Sequence, residues 1–201
     1  MSAARERVVR AALNRSINLI DYNIYNNVHK KYEFRRQTIQ EDESLTEDEK
    51  AEAMKIINRT YDLNKLIFNE GTKRICENCS QECLATLFCE YCVRNYLNEN
   101  FLNWTSGNDD IDNLIQECQM KTPFPNGVIE WIPYRNLQNI EYLTKGGCSE
   151  IYTADWIDGR YIEWDSNKQQ LIRKGIQRVI LKKLESVGRA DRSWFEEVCS
   201  N

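Results

Sequence analysis

The chain has 201 residues, of which 41% are apolar and 29% charged, with three prolines and a formal net charge of −4. That length and balance suit one large or two small globular domains, exclude long Pro-rich linkers and argue against a general nucleic-acid binder, leaving the basic residues 5–36 as the place where one would bind. No stretch approaches the ~20 apolar residues of a membrane-spanning helix.

Arg5, Arg7, Arg10 and Arg15 interrupt every apolar run at the N-terminus, so no secretory signal is expected. Eight cysteines without such a signal point to a reducing compartment, the cytoplasm, where metal binding is commoner than disulfides. Charge is unevenly spread. Residues 1–37 hold eight Lys or Arg against three acids, and residues 41–52 hold seven acids against one lysine. A solvated basic helix beside an acidic loop is the plain reading, and a basic patch for phosphates or an acidic partner the sharper one.

In chain order, Val8, Val9, Ala12, Ile17, Leu19, Ile20, Ile24 and Tyr25 recur at three- and four-residue spacing and predict one or two helices over residues 4–36. Residues 40–45 form an acidic connector. Thr46-Glu47-Asp48-Glu49 then has the form of a capping box, with reciprocal side-chain to backbone bonds. Met54, Ile57, Tyr61 and Leu66 follow as an apolar stripe on a helix ending near Glu70, with Gly71 suited to a left-handed cap. Residues 1–70 are thus expected to be a helical hairpin. His29, the only histidine, lies in a basic helix and is expected at the surface.

Residues 71–126 carry the strongest motif. Cys76-Glu77-Asn78-Cys79 and Cys89-Glu90-Tyr91-Cys92 are two CxxC pairs separated by nine residues. Four thiolates at that spacing can take the corners of a tetrahedron, which is what a closed structural zinc site requires. Cys76, Cys79, Cys89 and Cys92 are therefore the expected zinc ligands, and metal binding would fold a segment too small for its own core. Cys83 is a fifth candidate whose spacing matches neither pair. Buried reduced cysteines are the bland alternative. A thioredoxin-like redox pair lacks its βαβ context. Leu84, Leu87 and Phe88 are expected to hold the intervening loop against the neighbouring helices. Lys73, Arg74 and Arg94 are outnumbered by Glu77, Glu82, Glu90 and Glu99, so an internal structural role or a protein contact is expected here, not a nucleic acid. A helix over 93–102 and a short one around 111–118 complete the segment.

From Val128 the pattern turns aromatic and β-branched, through Ile129, Trp131, Ile132, Tyr134, Ile140, Tyr142, Ile151, Tyr152 and Trp156, and predicts strands. Residues 127–201 are read as a second unit, mostly sheet, ending in a helix.

Within it, residues 143–152 resemble the Gly-rich loop that covers ATP phosphates in protein kinases. Gly146 takes the middle glycine, Ile151 the valine and Tyr152 the tyrosine that often follows. Val179-Ile180-Leu181-Lys182 resembles the third strand, with Lys182 as the phosphate lysine. Trp194 to Val198 resembles the start of helix C, with Glu197 as the lysine's partner. Together with Cys76–Cys92 and Trp104-Thr105-Ser106-Gly107-Asn108, these segments resemble the N-terminal part of a tyrosine-kinase-like protein kinase family expanded in arbuscular mycorrhizal fungi.

The resemblance implies an α+β chain: a helical region with a four-cysteine zinc knuckle, then a partial kinase N-lobe of three antiparallel strands and the start of helix C. It implies Leu143, Thr144, Gly146, Gly147, Ser149, Ile151 and Lys182 as ATP-contacting residues, with Lys182 and Glu197 as the ion pair. Thr144 and Ser149 depart from glycine, Cys148 from an aromatic, and Ile180 from a small alanine. A side chain at a glycine position limits approach to a phosphate. The 201 residues contain neither His-Arg-Asp nor Asp-Phe-Gly. The chain by itself is therefore expected to be inactive, and the alternative is a non-catalytic zinc-stabilised interaction module.

Overall fold

The computed structural model describes residues 3–122, 124–146 and 149–184. It is a mixture of helices and antiparallel strands, divided into two compact units, residues 1–91 and 92–201.

The first unit begins with α1 (Ala3–Asn18), α2 (Val28–Gln40) and α3 (Glu47–Phe68). The first arm of the expected hairpin is thus broken in two. Asp21 causes the break: its carboxylate accepts from Asn23 N at 2.9 Å, and its carbonyl from Ile24 N and Tyr25 N at 3.1 and 2.8 Å. Such local bonds compete with helix propagation. Asn27 then restarts the helix by accepting from Lys30 N at 2.8 Å.

The capping box of α3 forms as read. Thr46 Oγ1 accepts from Glu49 N at 3.3 Å, and Glu49 Oε2 accepts from Thr46 N at 2.9 Å. Val9, Ala12, Leu13, Ile39, Leu45, Ala53 and Ile57 make the core of this bundle. The basic and acidic runs meet one another: Arg15 bonds Asp42 at 2.6 Å and Arg5 pairs with Asp48 at 3.3 Å. These exposed pairs neutralise the charge contrast but contribute little stability, ~0–1 kcal/mol each. His29 is exposed, with Nδ1 3.0 Å from Tyr61 Oη.

The left-handed residue that ends α3 is Asn69, at φ 49°. Gly71 has a separate reason for being glycine. Its φ is +114°, and a Cβ there would come within 2.9 Å of the Lys65 side chain. A two-stranded ribbon follows, β1 (Arg74–Ile75) with β2 (Glu82–Cys83).

The second unit includes most of α4 (Glu90–Asn100) and all of α5 (Asp109–Lys121). The segment 104–108 is the cap of α5. Asn108 Oδ1 accepts from Asp110 N and Ile111 N at 2.9 and 3.2 Å, and Asp112 accepts from Thr105 Oγ1 and Ser106 N at 2.6 and 2.8 Å.

A three-stranded antiparallel sheet takes the order β3 (Leu137–Gly146), β4 (Ser149–Trp156), β7 (Gln177–Leu184). Between β4 and β7 an unforeseen hairpin intervenes, β5 (Tyr161–Asp165) with β6 (Gln170–Arg173). Asp165 Oδ1 makes its turn by accepting from Asn167 N and Lys168 N, each at 3.0 Å. Gly159, φ +61°, sits against Gly175, and a Cβ there would lie 2.0 Å from the Gly175 carbonyl oxygen.

Residues 128–133, expected as strand, are irregular. Pro133 lacks a ladder donor, and the Ile129 carbonyl accepts from Gln119 Nε2 at 2.6 Å. Ala154, Trp156, Trp164 and Leu171 are buried in this unit. The helix expected over 194–198 lies outside the described residues. No helix among the described residues is long and apolar enough to cross a membrane.

Candidate metal centre

Each CxxC pair is set by a distinct local structure. Cys76 follows β1 and begins a tight turn. Its amide donates to Gln81 O at 2.9 Å, its carbonyl accepts from Ser80 N at 2.9 Å, and Ser80 takes φ 58°. This turn folds Cys79 back over Cys76. The second pair rides on α4: Cys89 immediately precedes the helix and Cys92 lies in its first turn. The partial positive charge of a helix N-terminus favours thiolates there.

The four sulfurs converge. All four Sγ atoms of Cys76, Cys79, Cys89 and Cys92 lie within 4.8 Å of one another, with Cys79 Sγ and Cys89 Sγ 3.6 Å apart. A tetrahedral ion with bonds of about 2.3 Å to sulfur needs sulfurs about 3.8 Å apart. Cys76, Cys89 and Cys92 are buried, and Cys79 is half-buried. The Cys79 main-chain N–H, aided by that of Asn78 and opposed by burial, holds the Cys76 thiol down to about 6. Amides aimed at a sulfur stabilise thiolate, the form a metal binds. The donor set, its closeness and its amides all fit a metal ion.

Cys83 is different. It is buried beside Cys89 and Glu90, and burial pushes its thiol up. Glu90 serves the loop: Leu84 N and Ala85 N donate to its Oε1 at 2.9 and 3.1 Å.

The loop between the pairs is held mainly by polar groups that the sequence reading missed. Asp62 on α3 accepts from Thr86 N, Thr86 Oγ1 and Leu87 N at 2.8, 2.5 and 2.7 Å. Lys65, one turn on, donates to the Leu84 carbonyl and lies 3.3 Å from Asp62 Oδ1. Both side chains are 1–2% exposed. Arg74 donates to Ala85 O at 2.8 Å and to Phe88 O at 2.6 Å. Of the three apolar residues expected to anchor the loop, Phe88 is buried, Leu84 half-buried and Leu87 43% exposed. A signal for Lys65 was available. It continues the series Ile57, Tyr61 at four-residue spacing, on the inward stripe of α3.

The kinase-like residues lie on the three-stranded sheet. Thr144, Ile151 and Lys182 pair across β3, β4 and β7 in a single row, and Gly146 pairs with Ser149. Directly paired residues share a face. Thr153 and Ile180 pair on that same face, two residues along. Leu143 sits at a register irregularity of β3 and is exposed, as are Thr144, Gly146, Ile180 and Lys182. Gly147, Cys148 and Glu197 lie outside the described residues.

Comparison of the chain with protein-family models, with curated proteins and with solved structures found no match.

Proposed function

We propose that this chain is a zinc-stabilised protein-interaction module, without catalysis at the metal. The observation that carries the reading is the convergence of four thiols, three of them buried, within 4.8 Å. Four protein ligands leave a zinc ion no open position for substrate, so its work is structural. Zinc is favoured over other ions because the donors are all sulfur. Ile75, Leu87 and Tyr91 are 60%, 43% and 42% exposed on the same short segment. Exposed apolar side chains beside a rigid knuckle suit a protein partner. Elemental analysis is expected to return one zinc per chain, and a strong chelator to lower the melting temperature. Zinc-free protein with an unchanged melting curve would overturn the reading.

A second reading concerns the sheet: residues 137–184 derive from the opening strands of a protein-kinase-like lobe that contacts ATP. The supporting observation is the row Thr144, Ile151, Lys182, with Ile180 on the same face. The reading is supported by the sharing of one sheet face by the lysine candidate and by Ile151 and Ile180, at the valine and alanine positions of the resemblance. Phosphoryl transfer also needs metal ligands and a catalytic aspartate, and no such motif occurs in these 201 residues. The proposal is therefore one of weak nucleotide contact. Calorimetric titration with ATP and Mg²⁺ is expected to give weak binding that Lys182→Ala reduces further. Affinity indifferent to Lys182→Ala would count against this assignment.

A further inference from the structure

The second unit contains a cleft that neither reading uses. It encloses about 210 Å³ and is walled by Trp104, Trp131, Trp156 and Tyr161, with Glu130 and Arg173 among its polar lining. That is room for a side chain, below the about 300–1,000 Å³ of pockets for whole small molecules.

Its polar part is built with care for one group and not for another. Arg173 Nη2 bonds Glu130 Oε2 at 2.5 Å, and Nη1 donates to Gly159 O at 2.8 Å. Its guanidinium lies 3.9 Å from the Tyr161 ring centroid and 5.9 Å from that of Trp156. Arg173 is thus held on several sides. Glu130 is only half served. Its side chain is 10% exposed, yet Oε1 is buried with no hydrogen-bond partner. A buried carboxylate oxygen without a donor is costly, and a ligand that supplies one recovers that cost. Burial pushes the Glu130 carboxyl up, against the pull of Arg173.

Charge gives the sign of the ligand. The lining holds two carboxylates, Glu130 and Asp158, against the single guanidinium of Arg173. Asp158 is already bonded by Asn136 Nδ2 at 2.6 Å. The deficit is one positive charge, and the free acceptor is Glu130 Oε1. The walls of Trp104 and Trp131 complete the preference, because indole faces attract cations within about 6 Å.

The geometry points to a binding site for a basic side chain, a guanidinium or ammonium group presented by a segment of a partner protein, recognised by Glu130 and the surrounding indoles. This site is independent of the zinc knuckle and of the nucleotide reading.

The test uses the full chain and tryptophan fluorescence, since three of its five tryptophans line the cleft. Nα-acetyl-arginine methylamide and its lysine counterpart are titrated against Nα-acetyl-citrulline methylamide, the uncharged isostere of the arginine probe. Saturable binding of at least one cationic probe, about tenfold or more tighter than citrulline, is expected. The same probe on a short glycine-flanked peptide should bind at least as well, whereas preference for free butylguanidinium over the peptide would overturn the protein-segment assignment. Glu130→Gln should weaken the cationic probe about tenfold and leave citrulline unchanged. Should that variant fail to fold, Trp131→Ala at the exposed rim should also weaken it. Equal binding of the arginine and citrulline probes, or no saturation by either cation, would overturn the site.

Discussion

The knuckle loop and the three-stranded sheet were both singled out by short motifs, yet the structure treats them oppositely. In the knuckle the motif residues are buried and converge, and Asp62, Lys65, Arg74 and Glu90 fix the loop between them by hydrogen bonds to its backbone. In the sheet Thr144, Gly146, Ile180 and Lys182 stand exposed, with Ile151 half-buried and only Ser149 buried, and the ion pairs there, such as Lys183 with Glu150 at 3.0 Å, lie largely in solvent. The difference teaches where specificity resides. A ligand set supported by its own buried polar layer is pre-organised for an ion. A set on an open sheet face must acquire its organisation from whatever covers it.

The contrast can be broken most forcefully at the sulfurs. Cys89→Ser removes one ligand, whose sulfur lies 3.6 Å from that of Cys79. Structural zinc contributes about 10–16 kcal/mol of binding free energy in small zinc domains, so the variant should lose zinc by elemental analysis and lose ordered structure over 72–102 by NMR. The second blow is Asp62→Ala. It strips three donors of their acceptor and leaves Lys65 buried without its carboxylate, which should cost about 3–5 kcal/mol in urea denaturation.

Acid should sharpen the comparison further. Cys76 is held at about 6 in the fold, against about 8.5 for an unperturbed cysteine. Between those values the folded chain binds fewer protons than the unfolded one. The stabilisation from this thiolate is therefore complete above about 8.5 and lost as pH falls through about 6. Apparent zinc affinity, followed with a chelating dye, should weaken as pH falls through that range, because protons compete with the ion for the thiolate.

On the sheet the expected effects are small. Lys183→Ala should leave the urea denaturation midpoint nearly unchanged, since its pair with Glu150 lies largely in solvent. Gly146→Ala should be near neutral for folding, since an added Cβ would meet Ser149 O at an ordinary 3.7 Å. Any loss from that substitution should appear in nucleotide affinity, read by calorimetry.

What the sequence disclosed follows the same division. The capping box and the paired CxxC spacing are local chemistry, and local chemistry survives in any tertiary setting. The strand 149–156 showed in its aromatic and β-branched residues, and the strand 177–184 through the resemblance of Val179 to Lys182 to a kinase third strand. The loop anchors went unread: Asp62 looks like a solvated position on a helix until the loop that covers it is known, and Lys65, although it continues the inward Ile57, Tyr61 series, is a charge on an apolar stripe. The β5–β6 hairpin was passed over although Asp165 to Lys168 is a turn sequence between two alternating runs. Residues 128–133 misled for a different reason. Trp131 and Ile132 wall a cleft, a demand that gives the same composition as a strand without its ladder.

The most direct measurement is X-ray absorption at the zinc edge on the purified chain. The account predicts a single zinc with four sulfur neighbours at about 2.3 Å. A first shell of nitrogen and oxygen, or fewer than four sulfurs, would contradict it.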